Sequence, residues 1–211
     1  MKEIFALYKN DKLKSNPFIN WIELFILMII IWFILSGIFQ FQFVMYGFFS
    51  SAIISFFMLK HLYIENKITQ DEYFILHINY IRFILYLIWL LKEITISSIE
   101  VSKIVIFKKN RIEPDIVWFK VNYQNPMAKV LLANSITLTP GTITIDMFET
   151  GIYSVHSLND NFRKSVETGI MQKKVGKVYG EELEFKVLDA KKIKVKVPES
   201  HLITNKITRQ I

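Results

Sequence analysis

The stretch FINWIELFILMIIIWFILSGIFQFQFVMYGFFSSAIISFFML, residues 18–59, carries one formal charge, Glu23, close to its start. Crossing the hydrocarbon core of a bilayer takes about 20 apolar residues in a helix. The stretch is about twice that length, so it reads as two spans, 18–39 and 41–59. They are joined by a tight turn at Ser36-Gly37 with Gln40 and Gln42 beyond it. A cleaved signal peptide has a single apolar region of roughly 7–15 residues before a small-residue cleavage site, which does not fit this run. Glu23 is placed near the head groups, where a carboxylate stays hydrated, because intramembrane acids that work in an ion path sit deeper. Trp21 lies where an interfacial aromatic anchor belongs, and Trp32 does not.

The charges flanking this run set its orientation. Lys2, Lys9, Lys12 and Lys14 precede it, and Lys60-His61 closes it, while the turn between the spans is uncharged. Positive residues collect on the cytoplasmic side, so both flanks are expected inside and the turn outside. Residues 1–17 then form a charged N-terminal extension that ends at the helix boundary Asn16-Pro17.

A third hydrophobic helix is expected at about 73–107, completing a membrane region of 18–107. It contains His77, Asn79 and Arg82, and then Lys92-Glu93. An arginine at mid-span costs roughly 2.5–3.5 kcal/mol on insertion scales. A third crossing would also carry the basic C-terminal half outside, against the charge bias. A tilted, interfacial or protein-packed helix is therefore preferred to a third span, and the anchor is read as having two to three transmembrane helices. His77 and Arg82 read as interfacial side chains whose polar ends reach the surface.

The remainder reads as a small cytoplasmic α/β domain over 108–180, of βαββα-like order, followed by a β-like C-terminal extension over 181–211. Residues 116–123 (IVWFKVNY) have strand character. Residues 127–138 have helical spacing of apolar side chains. Thr139-Pro140-Gly141-Thr142 suits a type II turn, with proline at the second position and glycine at the third, where φ is positive. A hairpin follows, 142–147 and 152–158, with Ile143, Ile145 and Met147 expected to face inward. Asn159 or Asp160 is a candidate cap for a helix carrying Phe162, Val166 and Ile170, weakened by Gly169. Strands are expected at 183–188 and at 192–197 (KIKVKV), the second with one wet face.

Composition bounds the chemistry. The chain of 211 residues is 52% hydrophobic and has no cysteine, so disulfides and thiol chemistry are absent from it. Its net charge is +7, most of it after residue 107. Beside transmembrane helices such a balance indicates a cytoplasmic face near anionic lipid rather than nucleic acid. No HExxH, glycine-rich phosphate loop or GxSxG occurs. His61, His77, His156 and His201 are not spaced as metal ligands. No catalytic, cofactor-binding or metal-binding residue is assigned, and no cofactor is expected. His156 falls opposite in phase to Tyr153 and Val155 and reads as an exposed or interface residue. Asn134, Ser135, Thr137 and Thr139 form a polar cluster that either satisfies local backbone or meets a partner subunit.

Residues 131–146, LLANSITLTPGTITID, closely resemble the signature stretch of the E subunit of Mrp-type multisubunit Na+ (cation)/H+ antiporters. Residues 91–101 (LKEITISSIEV), Arg111-Ile112-Glu113-Pro114 and Tyr153-Ser154-Val155-His156-Ser157-Leu158 agree with it, and the resemblance extends over roughly 18–160. It implies a non-catalytic accessory or assembly subunit in the cell membrane of a prokaryote, multi-pass, with its soluble domain in the cytoplasm. Its implied partners are the other subunits of a cation/proton antiporter and the lipid bilayer. Similar subunits occur in membrane-bound hydrogenase-type respiratory complexes, which is the alternative assembly. A free-standing membrane-anchored binding protein is the rival of another class. Asn134, Ser135, Thr137, Thr139, Pro140, Gly141 and His156 are the expected structural or subunit-contact residues.

Overall fold

The computed structural model describes residues 15–107 and 112–188. The charged segment 1–14 and the KIKVKV segment at 192–197 lie outside the described residues, as does His201. Two helices, α1 (Pro17–Ser36) and α2 (Phe41–Met58), are long and apolar enough to cross a bilayer. Asn16 caps α1 by accepting from the Phe18 amide, and Pro17 fills the first turn, where its missing N–H costs nothing. Gly37 ends it in the left-handed region at φ 60°, its N–H donating to the Phe33 carbonyl. The first helix is therefore shorter than expected, because the turn glycine closes it before Ile38 and Phe39.

Gly47, Ser51 and Ser55 form the buried stripe of α2. Their spacing of four keeps them on one helix face, and their small size lets the two backbones approach. Trp32 of α1 fills the space over Gly47 and donates from its indole N–H to the Phe43 carbonyl at 3.2 Å.

Where the hydrophobic reading begins a third helix at residue 73, the chain instead forms a short antiparallel hairpin. Its strands are β1 (Tyr63–Glu65) and β2 (Glu72–Phe74). Asn66 organises the turn, its side-chain oxygen accepting from the Ile68 amide and its amide donating to the Gln124 carbonyl at 2.6 Å. Phe74 packs against Leu24 and Leu59, with Trp21, Met28 and Leu76 around them. The hairpin thus closes the N-terminal end of α1 and the C-terminal end of α2, which lie on the same side. Asn20 of α1 donates to the Tyr63 hydroxyl at 3.0 Å across that junction.

Helix α3 (Tyr80–Phe107) starts later than expected, at Asn79, whose side chain accepts from the Arg82 amide. The α/β region follows as β3 (Asp115–Val121), α4 (Pro126–Leu138), β4 (Thr142–Met147), β5 (Ile152–Ser157), α5 (Asp160–Glu167), α6 (Ile170–Tyr179) and β6 (Phe185–Leu188). The four strands form one antiparallel sheet in the order β4-β5-β3-β6. Because β6 pairs with β3, residues 185–188 belong to this sheet rather than to a separate extension. The helix expected after Asn159 is two helices, broken at Gly169 with φ 69°. Phe162 and Val166 are buried as expected, but the break leaves Ile170 half exposed.

The helices cover one face of the sheet. Phe119 stacks on Tyr153 with ring centroids 5.0 Å apart, and Leu132, Ile136, Val175 and Val178 close over them. Three buried tyrosines tie the layers together. Tyr86 of α3 donates to the Ser135 hydroxyl at 2.6 Å, Tyr123 to the Gln172 carbonyl at 2.7 Å, and Tyr153 to the Lys129 carbonyl at 3.2 Å. Burial pushes the Tyr86 hydroxyl up to about 12 and the other two upward as well, so all three stay neutral donors.

Candidate functional site: the open sheet face and its edge

The face of the sheet opposite the core is mixed: exposed isoleucines lie toward β4, while Lys120, Lys186 and the buried Ser154 share the rest of it. Ile116 on β3, His156 on β5 and Ile143 on β4 lie side by side in register. Ile143 and Ile145 are each 56% exposed and Ile116 45%. This reverses the expected facing of β4. The threonines turn inward and the isoleucines outward. The cause is the C-terminal part of α4, whose carbonyls accept from the threonine hydroxyls as additional donors. Thr142 donates to the Ile136 carbonyl at 2.7 Å, and Thr144 to the Ala133 carbonyl at 3.0 Å. A bulge between Thr144 and Asp146 then shifts the register, and Met147 comes back against the core as expected.

The expected contact residues separate into two groups. Ser135 and Thr139 are buried. Ser135 accepts from Tyr86 and donates to the Leu131 carbonyl, while Thr139 donates to the Ser135 carbonyl at 2.9 Å. Pro140 and Gly141 form the turn, with φ 91° at Gly141 and the Thr142 amide donating to the Thr139 carbonyl. A Cβ at Gly141 would lie 2.7 Å from the Phe162 ring. Asn134 and Thr137 are exposed, and His156 is half-buried. Thr137 donates to the Ala133 carbonyl and accepts from the Thr144 amide at 3.2 Å, which holds the edge strand to the helix.

Asn134, Thr137 and Leu138, the last 60% exposed, therefore continue the open face around the β4 edge. Reading the residues one at a time misses this patch, since Ile116, Leu138, Ile143 and Ile145 all look like core. The threonines that follow the helix end are the signal that could have disclosed it. The opposite margin of the sheet is held by Glu181, which accepts from the Gln124 and Asn125 amides at 3.0 and 2.8 Å, at the start of α4. Burial pushes its carboxyl upward against the effect of those two bonds. No group of three or more histidine or acidic side chains that could hold a metal occurs among the described residues.

A pair of bilayer-length helices carrying an α/β region is the architecture of a membrane-anchored protein. The sequence profile of the Na+/H+ ion antiporter subunit family matches residues 25–177, and the chain belongs to that family. It is 35% identical over 69 residues to the E subunit of the Na(+)/H(+) antiporter of Alkalihalophilus pseudofirmus (strain ATCC BAA-2126 / JCM 17055 / OF4). That match spans 32% of this chain and 44% of the relative. The fold is similar to a chain of the membrane-bound sulfane sulfur reductase, an archaeal respiratory membrane complex. The TM-score is 0.57 at 27% identity, over 74% of this chain and 96% of that one.

Proposed function

We propose that this chain is a non-catalytic accessory subunit that holds together a multisubunit Na+ (cation)/H+ antiporter in the cell membrane of a prokaryote. It crosses the bilayer more than once and keeps its α/β domain in the cytoplasm. The observation that carries the reading is the family match over most of the chain. The row of Ile116, half-buried His156 and Ile143, continued by Ile145, Leu138, Asn134 and Thr137, is the surface that a neighbouring subunit covers. An apolar core with a polar rim is what a subunit interface presents.

The charge distribution supports assembly rather than conduction. Ion paths through a membrane need ionisable groups along their length, each costly to keep there. The sequences of α1 and α2 hold a single charged residue, Glu23, within the first two turns of α1. One acid near an edge cannot make a path about 30 Å long.

The test is ion-driven proton flux in vesicles, normalised to assembled complex. Glu23→Gln is expected to leave normalised flux near normal. Deleting the subunit is expected to lower the yield of assembled complex and with it total flux. Loss of normalised flux in Glu23→Gln with assembly intact would overturn the accessory reading.

The similarity to a chain of a respiratory membrane complex supports a second reading, the equivalent subunit of a hydrogenase-type respiratory assembly. Co-purification separates the two, since antiporter subunits alone or redox subunits beside them are recovered. A free-standing protein would instead purify alone and stable.

A further inference from the structure

Helix α3 has two apolar faces. Tyr86 and Leu90 pack into the core of the α/β domain, and Ser97 and Ile104 are buried on the same side of the helix. On the opposite face Ile81, Ile84, Leu85, Ile88 and Leu91 are each between 57% and 73% exposed. At 1.5 Å per residue these positions cover about 15 Å of helix. Nothing among the described residues packs over them. The start of α3 is tied to the bilayer-length helices through the β1-β2 hairpin, whose Phe74 and neighbouring Leu76 sit against Leu24 and Leu59.

Three cations gather beside this apolar face. Arg82, Lys174 and Lys177 line a concavity of about 180 Å³ together with Leu85 and Tyr86. Arg82 spends one guanidinium N–H on the Lys177 carbonyl at 3.1 Å, which ties α3 to the last turn of α6 and leaves its other donors to spare. Lys174 is steadied over the Trp89 ring, 4.9 Å from its centroid. The three positive groups come from two helices that pack together. The acid nearest in sequence on α3, Glu93, is three helical turns away from Arg82.

We propose that α3 lies in the plane of the membrane surface, with Ile81, Ile84, Leu85, Ile88 and Leu91 in the acyl boundary. Arg82, Lys174 and Lys177 bind the phosphate of an anionic phospholipid. An apolar helix face flanked by lysine and arginine suits the boundary between head groups and chains, where it enters by roughly 5–10 Å. A lipid satisfies both halves of the site with one molecule, its phosphate in the concavity and its chains along Leu85 and Ile88. A protein partner would need a separate acidic group and a separate apolar ridge. The proposal rests on the α/β domain lying against the membrane and not on which complex the subunit serves.

Because the chain has no cysteine, single labels can be placed cleanly. The full chain is reconstituted in bilayers of phosphatidylcholine containing a trace of spin-labelled phosphatidylglycerol or spin-labelled phosphatidylcholine. The ratio of motionally restricted lipid gives the headgroup preference. The wild type is expected to prefer phosphatidylglycerol, the preference falling as salt rises. Each cation beside an anionic headgroup contributes up to roughly a fivefold preference, so Lys174→Gln/Lys177→Gln is expected to lose up to about 25-fold. Lys174→Arg/Lys177→Arg, which keeps the charge, is expected to retain it. Equal association of the two lipids, or no effect of the glutamine pair, would overturn the headgroup site. Displacement by an excess of inorganic phosphate would make it a site for free phosphate instead.

A nitroxide at Ile88→Cys reads the apolar face. It is expected to be relaxed by lipid-dissolved oxygen and shielded from a water-soluble paramagnetic reagent, both in the isolated chain and in the assembled complex. An aqueous reading, or occlusion from both reagents in the complex, would place water or a partner subunit on this face and overturn the proposal. Flux by the assembled complex is independent of these readouts, so their failure leaves the subunit role standing.

Discussion

Gly141 sits at φ 91° beneath the Phe162 ring. A side chain there meets two obstacles, a backbone region that β-branched residues avoid and an aromatic ring within 2.7 Å. Gly141→Val is expected to destabilise the α/β region by at least about 1–3 kcal/mol, read as a lower melting temperature and a lower yield of complex. Unchanged melting would contradict the turn. Glu181→Gln keeps one acceptor where the carboxylate offers two to the amides of Gln124 and Asn125. An expected loss of about 1–2 kcal/mol follows. Asp115 is held below the usual carboxylate range, chiefly by the hydrogen bond from Arg163 at 3.0 Å and by the Ile116 amide. A depressed carboxyl contributes stability above its unfolded value of about 3.9, and that contribution disappears as pH falls through the lower folded value. Asp115→Asn is expected to flatten this acid limb of a pH-dependent melt without changing the neutral region's shape. The Pro140-Gly141 turn was readable because only glycine tolerates such a backbone. The facing of Ile143 and Ile145 was not, because alternation has period two and does not say which set faces in. Here the decision belonged to a neighbouring helix, whose Ala133 and Ile136 carbonyls accept from the threonine hydroxyls.

The same division holds for the helices and strands. α1 and α2 were legible as bilayer-length segments because one charge in 42 residues leaves few alternatives. Their packing was not read from the sequence, although Gly47, Ser51 and Ser55 recur every fourth residue and are the buried stripe of α2. Gly47→Leu would drive a side chain into the Trp32 ring, whose atoms lie 2.3–2.8 Å from an added Cβ. It is expected to splay the two helices and lower the amount of protein recovered in the membrane, while Ser55→Ala is expected to be tolerated. Equal recovery of Gly47→Leu would mean that the stripe does not face α1. The β1-β2 hairpin escaped the hydrophobic pattern because Tyr73, Phe74, Ile75 and Leu76 are as apolar as a helix start. Phe74 and Leu76 are held against Leu24 and Leu59, which lie 50 and 15 positions before Phe74 in the chain. The split between α5 and α6 was signalled by Gly169, whose φ of 69° stops the first helix and leads into the second.

For the molecule as a whole, the hairpin fixes the α/β region to one end of the α1-α2 pair, on the side where both helices have their basic flanks. Asn66 bonded to the Gln124 carbonyl, and Lys67 paired with Glu149, are the ties between them. Single cysteines at exposed Gln40 and Glu182 report the two sides. Gln40→Cys is expected to react with an impermeant maleimide in intact cells, and Glu182→Cys only after permeabilisation. The opposite pattern would invert the topology.

The β4 strand is the last in its sheet among the described residues; its Thr142 and Thr144 amides donate to the Thr139 carbonyl and the Thr137 hydroxyl, and Ile143 and Ile145 stay outward. Its exposed apolar side chains adhere to whatever covers them, a proper neighbour or another unassembled copy. Surplus chains made without their neighbours would therefore be sticky and short-lived, and the cell's supply of this subunit would be trimmed to the number of complexes able to shelter that edge.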